Sequence, residues 1–424
     1  MWQVISNSWA LLMGVLLLMI GNGLQGTALG LRGAAEGFSA QTMSYVMSAY
    51  FAGFLIGSRL TPGLIQRVGH VRVFAAFGSL ISAAFILYAA IPHPVSWAFM
   101  RLLVGVCFSG VYVVAESWLN DSATNETRGQ ALSLYLIVQM VGIISAQALA
   151  NVADPQSYAL FVIMSVLVSV SFAPILLSVS PAPVFETTKP MSLRQLYDVS
   201  PLGVVGIFIL GGVYSAIFGM GAIFGAEAGL TVRQTTTFIG LIFVGGLIVQ
   251  YPVGWLSDRM DRRHLIVWGT GIGVASIVAL GPFNDAVLVI YALAFIIGGV
   301  TNPLYSLFIA YTNDHLEPED MTSASGGLMF VNGLGAITGP LAIGWMMNRF
   351  GPMSYFTFIA ILFCVIAAYA LYRMTQRAGI AVDDTSPYAA VLPQATPVVM
   401  EVAQEHAIEM AQSDENATVD ALSK

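Results

Sequence analysis

Charged side chains are rare in this chain: Asp, Glu, Lys and Arg make up 9% of its 424 residues. A soluble domain carries about 25%. Cysteine is nearly absent as well. The two present, Cys107 and Cys364, sit inside long apolar stretches, which excludes a disulfide framework and gives no metal-ligand spacing. No phosphate loop of the form Gly, four residues, Gly-Lys-Ser/Thr occurs, and the polar segments are too short for a nucleotide-binding domain, so ATP hydrolysis is not the expected energy source. Ser, His and Asp do not cluster, and His93 stands alone in a turn. No catalytic residue, cofactor, metal site or nucleic-acid partner is therefore expected. The first apolar stretch lacks a basic leader and is long for a secretory signal, so it is read as retained.

What is abundant is apolar. Hydrophobic residues are 57% of the chain and the mean hydropathy is +0.78. Apolar runs of about 20 residues recur, each long enough to cross a hydrocarbon core of about 30 Å. Reading them against turn-rich separators such as IPHP, NVADPQS, PFND and NRFGP gives twelve spans, near 9–31, 41–58, 73–91, 95–119, 130–150, 158–178, 201–226, 235–256, 265–283, 286–311, 323–346 and 353–372. Continuous runs fit helices, because barrel strands alternate lipid-facing and lumen-facing residues. The expected fold is an all-α integral membrane bundle.

Charge then sets orientation. With the N-terminus inside, the inner loops and the end of the last span hold Arg59, Arg67, Arg72, Arg128, Lys189, Arg194, Arg259, Arg262, Arg263, Arg373 and Arg377; the outer loops hold Arg32, Arg233 and Arg349. Eleven against three places both termini in the cytoplasm of an inner or plasma membrane. The net charge of −7 says little about partners, since residues from Arg373 onward carry eight acids and three bases. That tail, 373–424, reads as acidic and disordered, with a short amphipathic helix around Val398–Gln412 as an option.

The chain also repeats itself. A polar linker at 179–200 separates an N-terminal half, 1–178, from a C-terminal half, 201–372. Phe51–Gly69, FAGFLIGSRLTPGLIQRVG, lies without gaps over Phe243–Asp261, FVGGLIVQYPVGWLSDRMD, at an offset of 192 residues. Gln139 pairs with Asn332 and Gly142 with Gly335 at 193. Parallel six-span repeats place a solute path between halves, near the bilayer midplane.

Gly254–Arg263, GWLSDRMDRR, puts five charges at the end of the charge-free run TFIGLIFVGGLIVQYPV. Gly254, Leu256, Asp258, Arg259, Arg262 and Arg263 resemble the loop signature of the major facilitator superfamily, which follows the second or eighth span. Gly63, Arg67 and Gly69 form the first-half copy. The resemblance covers about residues 9–372 and implies two parallel six-helix repeats, working as a monomer. Two readings of the loop stand: a conformational latch, in which Asp258 accepts from arginines and helix N-terminal N–H groups, and a plain topology anchor. The chain departs from the pattern at Gln66, at Pro62 and at Asp261. Its fifth span also lacks the Gly-Pro signature of many antiporters, and the sugar-porter signature is missing.

Ionisable residues inside spans are functional candidates by default. Arg101 and Glu116 lie in the fourth span, VSWAFMRLLVGVCFSGVYVVAESWLND, where Arg101 followed by Gly105 resembles a superfamily motif tied to proton coupling. At 100° per residue they share a stripe with Ser109 and Tyr112, but about 22 Å of helix axis separates them. Arg101 either attracts an anionic substrate or lowers a neighbour's pKa, or hydrogen-bonds structurally to carbonyls of an adjacent helix; Glu116 either carries a proton or bridges to Arg67 or Arg128 as an inner gate. Asn22, Gln25, Tyr112, Gln139, Gln147, Tyr214, Asn302, Tyr305 and Asn332 are candidate cavity residues, each with helix-to-helix hydrogen bonding as its alternative. The functional expectation is a secondary transporter of a small, uncharged or amphipathic organic solute, coupled to protons, with export favoured over uptake. A receptor or scaffold on the same fold, docking through its tail, is the alternative.

Overall fold

The computed structural model describes residues 2–122, 127–177, 191–281, 286–381, 385–386 and 388–393. Lys189 and the Val398–Gln412 segment lie outside them. The described residues form thirteen helices: α1 (Trp2–Ala35), α2 (Ala40–Val68), α3 (His70–Ala90), α4 (Pro94–Ser122), α5 (Arg128–Leu149), α6 (Ala159–Leu177), α7 (Leu193–Val199), α8 (Pro201–Glu227), α9 (Val232–Ser257), α10 (Arg262–Leu280), α11 (Val287–Asn313), α12 (Pro318–Phe350) and α13 (Ser354–Gln376). All but α7 correspond to the twelve spans. Ten are long and apolar enough to cross a membrane by length and composition, and α6 holds a shorter apolar stretch, Ala159–Pro174. The remaining one, α2, is richer in polar residues. Leu80, Val166, Trp268, Ile272, Leu288 and Val365 are exposed on the bundle's outside, a surface suited to lipid rather than water.

The repeat is visible in the turns. Gly37 and Gly229, 192 residues apart, adopt φ of 77° and 74°. Phe38 N–H donates to Gly33 O at 2.9 Å, and Leu230 N–H donates to Gly225 O at 2.9 Å. These six-to-one bonds close a Schellman turn, which needs the left-handed residue that glycine provides. Each turn feeds a capped helix: Ser39 accepts from Thr42 N–H, and Thr231 accepts from Gln234 N–H.

It is visible again in the packing. α2 lies on α4 and α1 on α5 and α6; α9 lies on α11 and α8 on α12 and α13 in the same way. A Cβ on Gly105 would collide with the Tyr50 carbonyl, and one on Gly298 with the Ile242 carbonyl. The two crossings occupy corresponding places in the two halves. Backbones approach this closely only where a side chain is missing, the usual basis of helix association in lipid.

Three sequence expectations are corrected here. The helices run beyond the apolar runs, because a helix continues past the hydrocarbon boundary as long as its backbone bonds close. Hence Gly63 and Arg67 lie inside α2 and only Gly69, at φ 84°, separates it from α3. In the second copy Gly254 is in α9, Arg262 and Arg263 open α10, and the true loop is 258–261. Finally, the chain after α13 is not wholly free: Val391 and Leu392 are buried.

Candidate functional site

The helix ends define two faces. Gly69, the 258–261 loop, the 314–317 turn and the chain after α13 share one face, called here the basic face for its arginines. Contacts between α1–α6 and α8–α13 gather toward the opposite face. Ala40 N–H donates to Glu227 Oε1 at 3.0 Å, Asn151 Nδ2 to Thr236 Oγ1 at 2.9 Å, and Ser48 Oγ to the Ile337 carbonyl at 2.6 Å. The α2–α12 contact reaches deeper, where Arg59 lies 4.0 Å over the Phe330 ring.

Below this closure lies a cavity of about 560 Å³, counting its open mouth. Asn22, Tyr50, Phe54, Tyr112, Tyr214, Phe218 and Asn332 are among its walls, each near the middle of its helix. Tyr214 and Phe218, one turn apart on α8, have rings 6.0 Å apart and nearly parallel, at 8°.

Asn22 is the polar hub. Its Nδ2 donates to Tyr112 OH at 3.1 Å, while its Oδ1 accepts from Gln25 Nε2 at 2.8 Å and from Tyr50 OH at 3.4 Å. Tyr112 OH donates to Met19 Sδ at 3.2 Å. Behind the Tyr50 ring lies Arg101, fully buried, with its guanidinium carbon 4.6 Å from the ring centroid and Nη2 3.3 Å from Met47 Sδ. Neither contact is the carbonyl bond expected of a merely structural arginine. Its Nε and Nη1 find no hydrogen-bond partner among the described residues. A buried cation held mainly by a ring face is costly to keep there.

Glu116, on the same stripe of α4, is also buried and accepts from Tyr135 OH of α5 at 3.0 Å. Arg67, one of its expected gate partners, is exposed.

At the basic face the motif arginines are held firmly. Arg262 pairs with Asp314, at the end of α11, with side chains 1% and 4% exposed. Asp258, the motif acid, is 4.0 Å from Arg262 and 43% exposed. Arg263 binds Asp261 at 2.6 Å. Burial alone would raise the Asp261 carboxyl; the Arg263 hydrogen bonds and charge outweigh it and hold it below its ordinary range. Arg259 stacks 4.3 Å over Trp255, the position of a topology anchor.

The family model for the Major Facilitator Superfamily matches residues 11–248 and again 203–395, so its second match begins 192 residues after the first. The chain belongs to the Major Facilitator Superfamily. Among similar curated proteins, an uncharacterized MFS-type transporter of Yersinia enterocolitica is 26% identical, over 90% of this chain and 97% of its own. YcaD of Escherichia fergusonii, likewise described as an uncharacterized MFS-type transporter, is 26% identical over 82% and 91%. Among solved structures, a point mutant of the nucleoside transporter NupG superposes with a TM-score of 0.74 at 14% identity, covering 86% of this chain and 99% of that one. A bacterial homologue of the human lysosomal transporter Spinster, inward-facing and unoccupied, gives 0.65 at 15%, covering 96% and 97%. At such identities these structures speak for fold alone.

This superfamily member is a multi-pass membrane transporter. Of the nine candidate cavity residues, Asn22, Tyr112, Tyr214 and Asn332 line the cavity. The other five lie outside its lining. Gln25 braces Asn22 from behind, and Gln147 accepts from Thr27 Oγ1 at 2.9 Å, tying α5 to α1. Asn302 packs against Gly246, where α11 crosses α9. Gln139 and Tyr305 are buried outside the lining. Sequence reasoning missed Tyr50, Phe54 and Phe218. For the first two the signal was there in YFAGF, whose aromatics fall one turn apart at the start of the repeat match. Asp314 carried no motif and left no signal.

Proposed function

We propose that this transporter is a secondary carrier moving a small organic solute by alternating access between its two halves, 1–178 and 201–372. The observation that carries the reading is the mid-bundle cavity, lined from both halves, with the hydrogen bonds between the halves gathered toward the face opposite the basic one. Taking the basic face as cytoplasmic, by the positive-inside rule, the structure is the inward-facing state, in an inner membrane with both termini inside. The protein works as a monomer.

Aromatic walls with two carboxamides and no lining charge favour an uncharged or amphipathic solute with a flat ring, which can lie against the wall formed by Tyr50, Phe54, Tyr214 and Phe218. Proton coupling is assigned to Glu116 and Arg101, two buried ionisable groups on one stripe of α4. Tyr135 orients the Glu116 carboxyl, and Arg101 biases the cavity wall through the Tyr50 ring. Export is favoured over uptake. A solute screen in inverted vesicles, with the pH gradient imposed or collapsed, tests the reading. Accumulation of no compound under either condition would refute it.

A further inference from the structure

Past α13 the chain turns back over the basic face. Arg263 Nη1 donates to the Arg377 carbonyl at 2.8 Å. Ser386 then donates to Asp314 Oδ1 twice, from its N–H at 2.9 Å and its hydroxyl at 2.8 Å, while Arg262 binds the Ser386 carbonyl. Tyr388 N–H donates to Asp258 Oδ1 at 2.8 Å, its hydroxyl accepts from Gln250 Nε2 at 2.9 Å, and its ring covers Gly254. Burial pushes the Tyr388 phenol above its ordinary value. Deeper in, Ser306 Oγ both accepts from Val391 N–H at 2.9 Å and donates to its carbonyl at 3.0 Å. Asn332 Nδ2 donates to the Pro393 carbonyl at 3.0 Å, and Pro393 itself lines the central cavity.

These contacts do not describe a tail resting on a surface. Backbone groups of Ser386, Tyr388, Val391 and Pro393 are satisfied by the side chains of Asp314, Arg262, Asp258, Ser306 and Asn332, while Val391 and Leu392 are buried at 2% and 5% exposure. Every one of these anchors belongs to α8–α13 or the turns between them, yet the far end meets a cavity whose other walls are Asn22, Tyr50 and Tyr112 of α1–α6. Asp258 and Arg262, the residues of the family loop, are the ones the segment occupies.

We propose that Ser386 and Tyr388–Pro393 form a built-in peptide ligand of the basic-face vestibule, a strap that holds this face open and competes with solute for the Asn332 amide. The inference rests on the alternating-access reading above. Closing the basic face must bring α1–α6 toward α9, α11 and α12, across the part of the cavity that Pro393 lines. Two groups cannot share one volume, so the strap leaves before each closure. Each tenfold preference for the docked strap weakens apparent solute affinity about tenfold.

The test uses the full chain with Cys107 and Cys364 replaced by Ala and Ser. Gly254→Cys with Tyr388→Cys should form a disulfide on mild oxidation in membranes. Separately, Ala336→Cys, on the cavity wall, should react slowly with a thiol reagent added from the basic face, and at least fivefold faster once Leu392→Glu is added. Monodisperse elution of each variant in detergent controls for folding. Failure of the cross-link, or equal labelling of Ala336→Cys with and without Leu392→Glu, would overturn the strap. Neither readout requires transport, so an absence of flux in every variant would count against the carrier reading and leave the strap standing.

Discussion

Arg262 at the start of α10 and Asp314 at the end of α11 form a buried ion pair, 52 residues apart in sequence. The acid inside the motif, Asp258, is the more distant and more exposed partner. Removing one member of a buried pair costs about 3–5 kcal/mol, because the other charge is left uncompensated. An exposed pair is worth about 0–1 kcal/mol. Asp314→Asn should therefore lower the detergent melting temperature far more than Asp258→Asn. Equal effects in a thermal-shift measurement would show that the pair does not dominate this corner.

Glu116 lies buried on α4, with Tyr135 of α5 donating to its carboxyl. Glu116→Gln is expected to abolish transport driven by the pH gradient while leaving solute exchange measurable. If proton-driven transport survives intact, the carrier role is lost and only a gating role remains.

Asn22 joins three partners across α1, α2 and α4. Asn22→Ala leaves Tyr112, Tyr50 and Gln25 short of a partner, at about 1–3 kcal/mol for a buried polar group. The detergent melting temperature should fall, and solute affinity should weaken as the cavity wall loses its polar hub, read as the half-saturation concentration of a solute from the vesicle screen. An unchanged value would remove Asn22 from the site.

Gly105 sits against the Tyr50 carbonyl, whereas Gly271 on α10 has open space around it. Gly105→Val should reduce the yield of folded protein by splaying α2 from α4, and Gly271→Ala should not. Size-exclusion profiles of the two variants decide this.

His315, just past α11, has its imidazole held below its ordinary value of about 6.5. Burial is the main cause, helped by Arg377 and Arg263, against the Tyr311 carbonyl and Asp314. A depressed folded value means the folded state binds the proton less readily than the unfolded chain. The associated stability is present above about pH 6.5 and is lost as pH falls through the folded value. Melting curves from pH 7.5 down to 5.5, set as assay conditions at roughly one unit either side, should slope less for His315→Gln than for the parent.

Residues whose role is set by their chemistry or local spacing were legible in the sequence. Apolar run length marked twelve of the thirteen helices among the described residues, since a span must match the hydrocarbon thickness. The 192-residue offset read from Phe51–Gly69 also relates the turns at Gly37 and Gly229, because a left-handed turn residue is a local requirement. The α4 stripe placed Arg101 and Glu116 on the buried side for the same reason.

Which polar side chain faces the hollow was decided only by tertiary structure, because it depends on how each helix is rotated against its neighbours. Asn22 and Gln25 are one turn apart, yet one is a wall and the other its brace. Gln147 and Asn302 looked equally suited to a solute and went to other helices instead. Composition marked the chain after Arg377 as solvent-loving; Tyr388–Pro393 are folded because Ser306 and Asn332, 85 and 61 residues away, satisfy their backbone. No local pattern encodes a bond of that reach.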